Sequence, residues 1–163
     1  MKKSLWAVLL VWLAVASGWS EAGYIQDWLI IGPFENLDQT ARMKEDYLNG
    51  ESLVVPEPGS KNAGLTWQEY HSPNDKVDFI YDAGFKNWTL HEKCVAYAFT
   101  YIYSPDKKNM QLILGSDDGI AALLNGTEMW RNDVYRGFMY DQDIVVVTLN
   151  AGWNKLLIKI TQG

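Results

Sequence analysis

Cysteine and histidine are scarce in this chain, and their scarcity excludes several kinds of site. Cys94 is the only cysteine, so no intramolecular disulfide can form. The two histidines, His71 and His91, have no metal-ligand spacing with each other or with Cys94. A catalytic Cys94 would need a base and an orienting third group, and nothing near His91 supplies that group. The apolar sequence after Cys94 instead predicts a buried thiol that packs as a small hydrophobe.

Basic residues are too few and too scattered for a nucleic-acid binder. The chain has 14 Lys and Arg against 20 Asp and Glu, a formal net charge of −6. It therefore lacks the basic face that neutralises phosphates, and nucleic acid is not an expected partner. Hydrophobic residues make up 48% of the chain, which is too apolar for a disordered protein. At 163 residues, it has room for one domain with a sizeable core.

The N-terminus has the parts of an export signal. Lys2 and Lys3 form a basic start, an apolar run follows over residues 5–16, and small residues offer cleavage after Ala16 or Ala22. The run is shorter than the roughly 20 residues that span a bilayer. An uncleaved anchor is the alternative. We expect a signal peptide over residues 1–22 and a secreted or periplasmic mature chain, residues 23–163, without a membrane span.

Hydrophobic alternation predicts an all-β mature chain. Short runs rich in β-branched and aromatic residues recur between turn signals, as is typical of a sandwich or barrel. One short helix is predicted at Asp38–Leu48, with Asp38 as its N-cap. The fold class is thus an antiparallel β-sandwich with one short helix near the N-terminus. The predicted strands are 25–34, 65–70, 77–81, 95–103, 110–114, 120–124, 127–131, 144–149 and 155–160.

The most informative stretch is residues 111–130, which contains a tight hairpin. Asn125 and Gly126 tolerate the positive φ angles of a type I′ turn. With a two-residue loop, Ala122 pairs with Met129 on the core face. Trp130 then lies on the opposite face, where a flat indole can stack on the apolar face of a sugar ring. The alternative is that a loop covers Trp130 in a second small core.

An acidic corner precedes this hairpin. Asp117 and Asp118 can coordinate a hard cation such as Ca²⁺, or accept hydrogen bonds from sugar hydroxyls or backbone amides. The alternative is a pair that only shapes the turn before Gly119. The later loop adds Tyr135, Arg136 and Asp141, a mixture that suits polyol recognition and equally suits an ordinary solvated loop. No nucleophile elbow, phosphate loop or zinc motif occurs, so we do not expect an enzyme.

The motifs WLIIGPF, AYAFTYIYSP, SDDG, LNG and GWNKLLIKI together resemble exported bacterial modules of the galactose-binding-like β-sandwich type, including jelly-roll sugar-binding domains. The SDDG corner is similar to that of protective-antigen-type lectin modules, where an Asp pair holds Ca²⁺. The resemblance implies that Asp117 and Asp118 form the acidic corner and that Asn125 and Gly126 form the turn. Such modules continue into a closing aromatic strand, which the present sequence does not reach.

Two hypotheses follow. The first is an exported, non-catalytic carbohydrate-binding module, assisted by Ca²⁺, whose metal ligands are Asp117 and Asp118. Its proposed sugar contacts are Trp130, Tyr135, Arg136 and Asp141. The second is a structural or protein-interaction module, or part of a larger exported protein, whose open edge after Ile160 pairs with a neighbouring domain or protein.

Overall fold

Period-two alternation of apolar residues gives an architecture made entirely of strands. The computed structural model describes residues 8–15 (backbone only), 23–38, 41–79 and 92–163, and no helix occurs within these ranges. The all-β prediction is confirmed there. The strands are β1 (Val8–Val15), β2 (Gly23–Tyr24), β3 (Asp27–Glu35), β4 (Lys61–Asn62), β5 (Leu65–Thr66), β6 (Gln68–His71), β7 (Val77–Asp78), β8 (Cys94–Ser104), β9 (Lys108–Ser116), β10 (Gly119–Leu124), β11 (Thr127–Asn132), β12 (Asp143–Leu149) and β13 (Gly152–Gln162).

The strands form two main antiparallel sheets. The first sheet has the order β12-β9-β1-β2, and β7 also pairs with β1. The second sheet has the order β11-β10-β13-β8-β3-β6. β4 and β5 form a separate two-stranded ribbon. Neighbours in sequence, such as β9 and β10, lie in different sheets, which is consistent with a β-sandwich.

The main core lies between the two sheets. Alternate residues of each strand face inward, so that both sheets bury aliphatic side chains against each other. Full burial of one such side chain contributes about 1.5–3 kcal/mol to folding. The buried members from the long strands are Trp28, Ile30, Ala96, Ala98, Ile102, Met110, Leu112, Leu114, Ile120, Ala122, Leu124, Val147, Leu149, Leu156, Ile158 and Ile160.

A second, smaller core covers part of the outer face of the second sheet. The opposite alternation set of β8 and β13, including Tyr97, Phe99 and Leu157, packs there with Leu48 and Trp67. The latter two belong to residues 41–67, which we call the covering segment. Because both faces of the second sheet are buried here, its strands are apolar at consecutive positions.

The β10–β11 hairpin has the predicted turn, and its register then shifts. Asn125 and Gly126 have φ angles of 52° and 83°. Leu124 pairs with Thr127 as predicted, but a β-bulge beyond the next pair places Trp130 opposite Ala122. One extra residue moves every later side chain to the other face of the sheet. Trp130 therefore packs against the inter-sheet core, and the prediction that it points outward is wrong.

One buried asparagine joins two turns at the end of the second sheet. Asn154 is fully buried, and its Oδ1 accepts hydrogen bonds from Asn125 Nδ2 at 2.8 Å and from the Asn150 amide at 2.9 Å. Its Nδ2 donates to the carbonyls of Asn150 and Gly152 at 2.9 and 3.1 Å. Asn125 Oδ1 in turn accepts the Lys155 amide at 2.9 Å. This asparagine clamp fixes the β10–β11 and β12–β13 turns to each other.

The predicted helix at Asp38–Leu48 is not formed in the described residues 41–48, which make successive turns. The Glu45 amide donates to the Ala41 carbonyl at 2.8 Å, as in one helical turn. Asp46 then intervenes, because its carboxylate accepts the amides of Leu48 at 2.9 Å and Gly50 at 2.8 Å. Such side-chain bonds offer the backbone an alternative to a helix.

Some predictions fall outside the described residues. These are the cleavage sites after Ala16 and Ala22, the role of His91, and the end of the predicted strand 77–81. Within the described ranges no helix is both long and apolar enough to cross a membrane.

Candidate functional site

The acidic corner is buried, and its second aspartate is bonded to two distant parts of the backbone. Asp118 is 2% exposed. Its Oδ1 accepts the Arg136 amide at 2.9 Å, and its Oδ2 accepts the Gly163 amide at 2.7 Å. Its carbonyl accepts the hydroxyl of Ser116 at 2.7 Å. Asp118 thus connects the end of β9 to the β11–β12 loop and to the residue that follows β13.

Arg136 extends this corner into an ion-pair network. Its Nη2 donates to Ser116 Oγ at 2.8 Å and forms an ion pair with Asp143 Oδ2. Asn132 Nδ2 donates to the other Asp143 oxygen at 3.0 Å. We call Ser116, Asp118, Asn132, Arg136 and Asp143 the corner network. Both charged partners are mostly buried, with exposed side-chain fractions of 16% for Arg136 and 4% for Asp143.

The other predicted site residues lie at different depths around this network. Asp117 is buried beside Asp118, whereas Tyr135 is exposed. Asp141 is exposed, with a φ angle of 58°, and precedes Gln142, whose Oε1 accepts the Ser116 amide at 2.9 Å. Of the predicted site residues, the structure joins Asp118 and Arg136 by a hydrogen bond.

A polar pocket of about 400 Å³ opens beside the corner network. Arg42, Lys44, Asp118, Asp133 and Tyr135 line it with charges of both signs. Among the described residues, no three His, Cys, Asp or Glu side chains gather as metal ligands. Calcium binding at Asp117 and Asp118 stays a prediction.

A different feature stands out on the bare part of the second sheet's outer face. Tyr101 and Tyr103 of β8 and Trp153 of β13 are 44%, 59% and 68% exposed. The Trp153 ring centroid lies 5.2 Å from that of Tyr103 and 6.3 Å from that of Tyr101, with the planes steeply inclined. We call these three residues the aromatic patch. Their rings present an apolar surface edged by two phenol hydroxyls.

A groove of about 470 Å³ runs from the aromatic patch across the neighbouring strands. Tyr101 lines the groove together with apolar residues such as Trp28 and Leu29, and Asp27, Glu69 and His71 add polar groups. His71 Nδ1 lies 2.6 Å from Asp27 Oδ1, and both side chains are largely exposed. Aromatic and hydrogen-bonding groups therefore share one continuous surface.

The sequence contained a signal for this patch that the hairpin argument overlooked. In β8, the residues Tyr97, Phe99, Tyr101 and Tyr103 recur with period two, so they share one face. In the antiparallel pairing of β13 with β8, Trp153 lies opposite Tyr103. Since the covering segment extends only over the other half of this face, burial divides the aromatic row into a covered part and a bare part.

Burial shifts several pKa values at the covered end of the same face. Desolvation lowers the pKa of Lys159, although its hydrogen bond to Glu51 opposes the shift. Burial raises the pKa of Tyr97 far above its ordinary value, with Glu51 adding to the effect, and raises that of Tyr47 to about 12. Lys159 Nζ lies over both tyrosine rings, 5.1 Å from the centroid of Tyr47 and 5.6 Å from that of Tyr97. These groups bind the covering segment to the sheet.

Cys94 is buried, as predicted. Burial raises the pKa of its thiol to about 12, although the charge of Arg42 opposes the shift. A thiol of this kind is protonated at neutral pH and is a poor nucleophile.

No protein-family model matches the chain, and searches of curated proteins and of solved structures found no match either.

Proposed function

We propose that this protein is an exported, non-catalytic carbohydrate-binding module, a β-sandwich of the galactose-binding-like, jelly-roll type. The observation that carries the proposal is the aromatic patch, in which Trp153 stands exposed between Tyr101 and Tyr103. Exposed aromatic rings of this kind stack on the apolar faces of sugar rings. An isolated exposed aromatic residue would be unremarkable, whereas Trp153 packed against both tyrosines forms a patch that favours an interaction role.

The groove beside the patch supports the same function. Carboxylates of Asp27 and Glu69 accept hydrogen bonds from sugar hydroxyls, and the phenol of Tyr101 both donates and accepts. In this proposal one sugar ring stacks on the patch and the next extends into the groove. The earlier candidates Tyr135, Arg136 and Asp141, with Ca²⁺ at Asp117 and Asp118, form a competing location for the same activity; Trp130 is excluded from it because it packs against the inter-sheet core.

Affinity electrophoresis in gels containing soluble polysaccharides tests the function and its location together. We expect retardation of the full chain and about 5- to 160-fold weaker binding for Trp153→Ala, since one stacked ring contributes about 1–3 kcal/mol in comparable aromatic stacking. The matched control is Tyr135→Ala, an exposed aromatic beside the corner network. Each gel is run with Ca²⁺ and with a chelator.

The outcomes separate the possibilities. Loss of binding in Trp153→Ala alone supports the aromatic patch. Loss in Tyr135→Ala alone, or only with the chelator, moves the site to the acidic corner. A folded chain that no polysaccharide retards under either condition overturns the proposal. The alternative function is protein interaction. The edge expected to be open after Ile160 is not an edge, because β13 pairs with both β10 and β8. The strand arrangement around β1 favours this function instead.

A further inference from the structure

The apolar stretch of the predicted export signal occupies an internal position in the first sheet. β1 pairs along seven consecutive residues with β9, from Leu9 opposite Ser116 to Val15 opposite Met110. On its other side β1 pairs with β2 and with β7. Strands thus flank β1 on both sides, and its backbone groups bond in two directions.

The β9 residues that face this position are part of the core. Met110, Leu112 and Leu114 are at most 6% exposed, and they register opposite positions 15, 13 and 11 of the chain. On the far side Val77 of β7 is 1% exposed and belongs to the same cluster. Removing β1 would uncover apolar side chains and leave unpaired backbone donors and acceptors on two facing edges. Both consequences are costly.

We propose that, after export removes residues 1–22, the β1 position is an acceptor groove for an extended apolar strand of a partner polypeptide. The cleavage is hydrolysis of the Ala22–Gly23 bond: water adds across it, leaving a carboxyl group on Ala22 and an amino group on Gly23. β2 begins at Gly23, so both facing edges, β9 and β2 with β7, stay on the mature chain.

The groove defines the chemistry of its occupant. It takes about seven residues in extended conformation, antiparallel to β9, with apolar side chains at the alternate positions opposite Met110, Leu112 and Leu114. Such strand addition combines backbone hydrogen bonds for affinity with side-chain pockets for specificity. Among the described residues from 23 onward, β2 and β7 pair only with β1 and are two residues long, too short to fill this place, and the other strands are paired elsewhere. We therefore assign the donated strand to another polypeptide.

The test uses the chain produced from its full precursor and recovered after export. Mass spectrometry first defines its N-terminus, which we expect at Gly23. A soluble peptide probe consists of residues 8–15 flanked by two lysines at each end. The matched control peptide carries Val11→Asp and Leu13→Asp, which place charges opposite Leu114 and Leu112.

Hydrogen exchange then reports occupancy of the groove. β9 also pairs with β12, so only the alternate amides of residues 110–116 that face the β1 position report on the groove. We expect the probe, at about 100 times its Kd, to slow exchange of those amides about 100-fold, while the control peptide has no effect. An exported chain that retains residues 8–15 overturns the proposal. So does a chain whose β1-facing amides of β9 are already protected without a peptide, either as a monomer or through pairing with a second copy. None of these readouts depends on carbohydrate binding.

Discussion

Nζ of Lys159 lies 2.8 Å from Oε1 of Glu51, so that a central strand of the second sheet is joined to the segment that covers it. The lysine is 1% exposed and also donates to the carbonyl of Glu45. Glu51 additionally accepts a hydrogen bond from the hydroxyl of Tyr97. This buried pair lies at the covered end of the face whose other end bears the aromatic patch.

Breaking the buried pair should destabilise the protein more than removing it whole. We expect Lys159→Met to cost about 3–5 kcal/mol, because Glu51 is left partly buried without its counter-charge. The double variant Lys159→Met with Glu51→Gln should lose clearly less than the sum of the single losses. Urea unfolding of the four chains measures the coupling. Lys155→Met, a less buried lysine on the same strand, is the control and should change stability by about 0.5 kcal/mol or less; additive losses would contradict the prediction.

The buried thiol should make the fold sensitive to alkali. The pKa of Cys94 is raised by burial from 9.0 to about 12, so above pH 9 the unfolded chain loses a proton that the folded chain retains. Stability from this group is fully present below pH 9 and falls as the pH rises toward 12. The full loss is about 4 kcal/mol, three units at 1.36 kcal/mol each.

Comparing the protein with Cys94→Ala isolates this effect. The stability difference between the two chains, measured by urea unfolding, should shift in favour of the alanine variant as the pH rises above 9. Tyr47 and Tyr97, whose raised pKa values act in the same direction, are present in both chains and cancel in the difference. A difference that does not change with pH would show that the thiol ionises equally in both states.

The corner network should behave as a structural unit. Arg136→Met leaves the buried Asp143 carboxylate without its partner, and we expect a loss of about 3–5 kcal/mol. The control is Arg131→Met, which breaks an exposed pair with Glu128 and should cost about 1 kcal/mol or less. Thermal and urea unfolding provide the comparison. Equal small losses would mean that the corner is solvated and adaptable.

Replacing Trp130 and replacing Trp153 should change the stability of the protein by different amounts. Trp130 is half-buried against the inter-sheet core, so Trp130→Ala should cost about 2–3 kcal/mol, somewhat below the value for a fully buried tryptophan. Trp153 is exposed, and Trp153→Ala should change stability by about 0.5 kcal/mol or less. A loss for Trp130→Ala as small as that for Trp153→Ala would contradict the inward face that the β-bulge gives Trp130.

Local pattern was sufficient for most strands of the described chain. Apolar alternation predicted β8, β9, β12 and β13, and the Asn-Gly pair predicted the turn at Asn125 and Gly126. These predictions were possible because the causes of each element lie within a few residues of it. The bulge in the β10–β11 pair follows no such pattern. It leaves the turn intact and moves Trp130, with the β11 residues after it, to the other side of the sheet.

The corner network shows the other limit of sequence reasoning. Asp118 looked like an available ligand because its partners are remote: the Arg136 amide is 18 residues away and the Gly163 amide 45 residues away. The helix predicted at residues 38–48 does not form, and the reason is local: the carboxylate of Asp46 accepts nearby backbone amides and so competes with helical hydrogen bonds. Adjacent carboxylates in a sequence indicate acceptors, but the fold decides what they accept.

The asparagine clamp has a practical consequence for anyone who alters this protein. Because Asn154 holds both the Asn125 turn and the Asn150 turn, a peptide tag or domain inserted into either loop would disturb both turns at once. The turn after β8, where Ser104 Oγ bonds only to the nearby Asp106 carbonyl at 2.7 Å, has no such link among the described contacts. That turn, although it adjoins Tyr103 of the aromatic patch, is the better insertion point for a reporter intended to leave both clamped turns undisturbed.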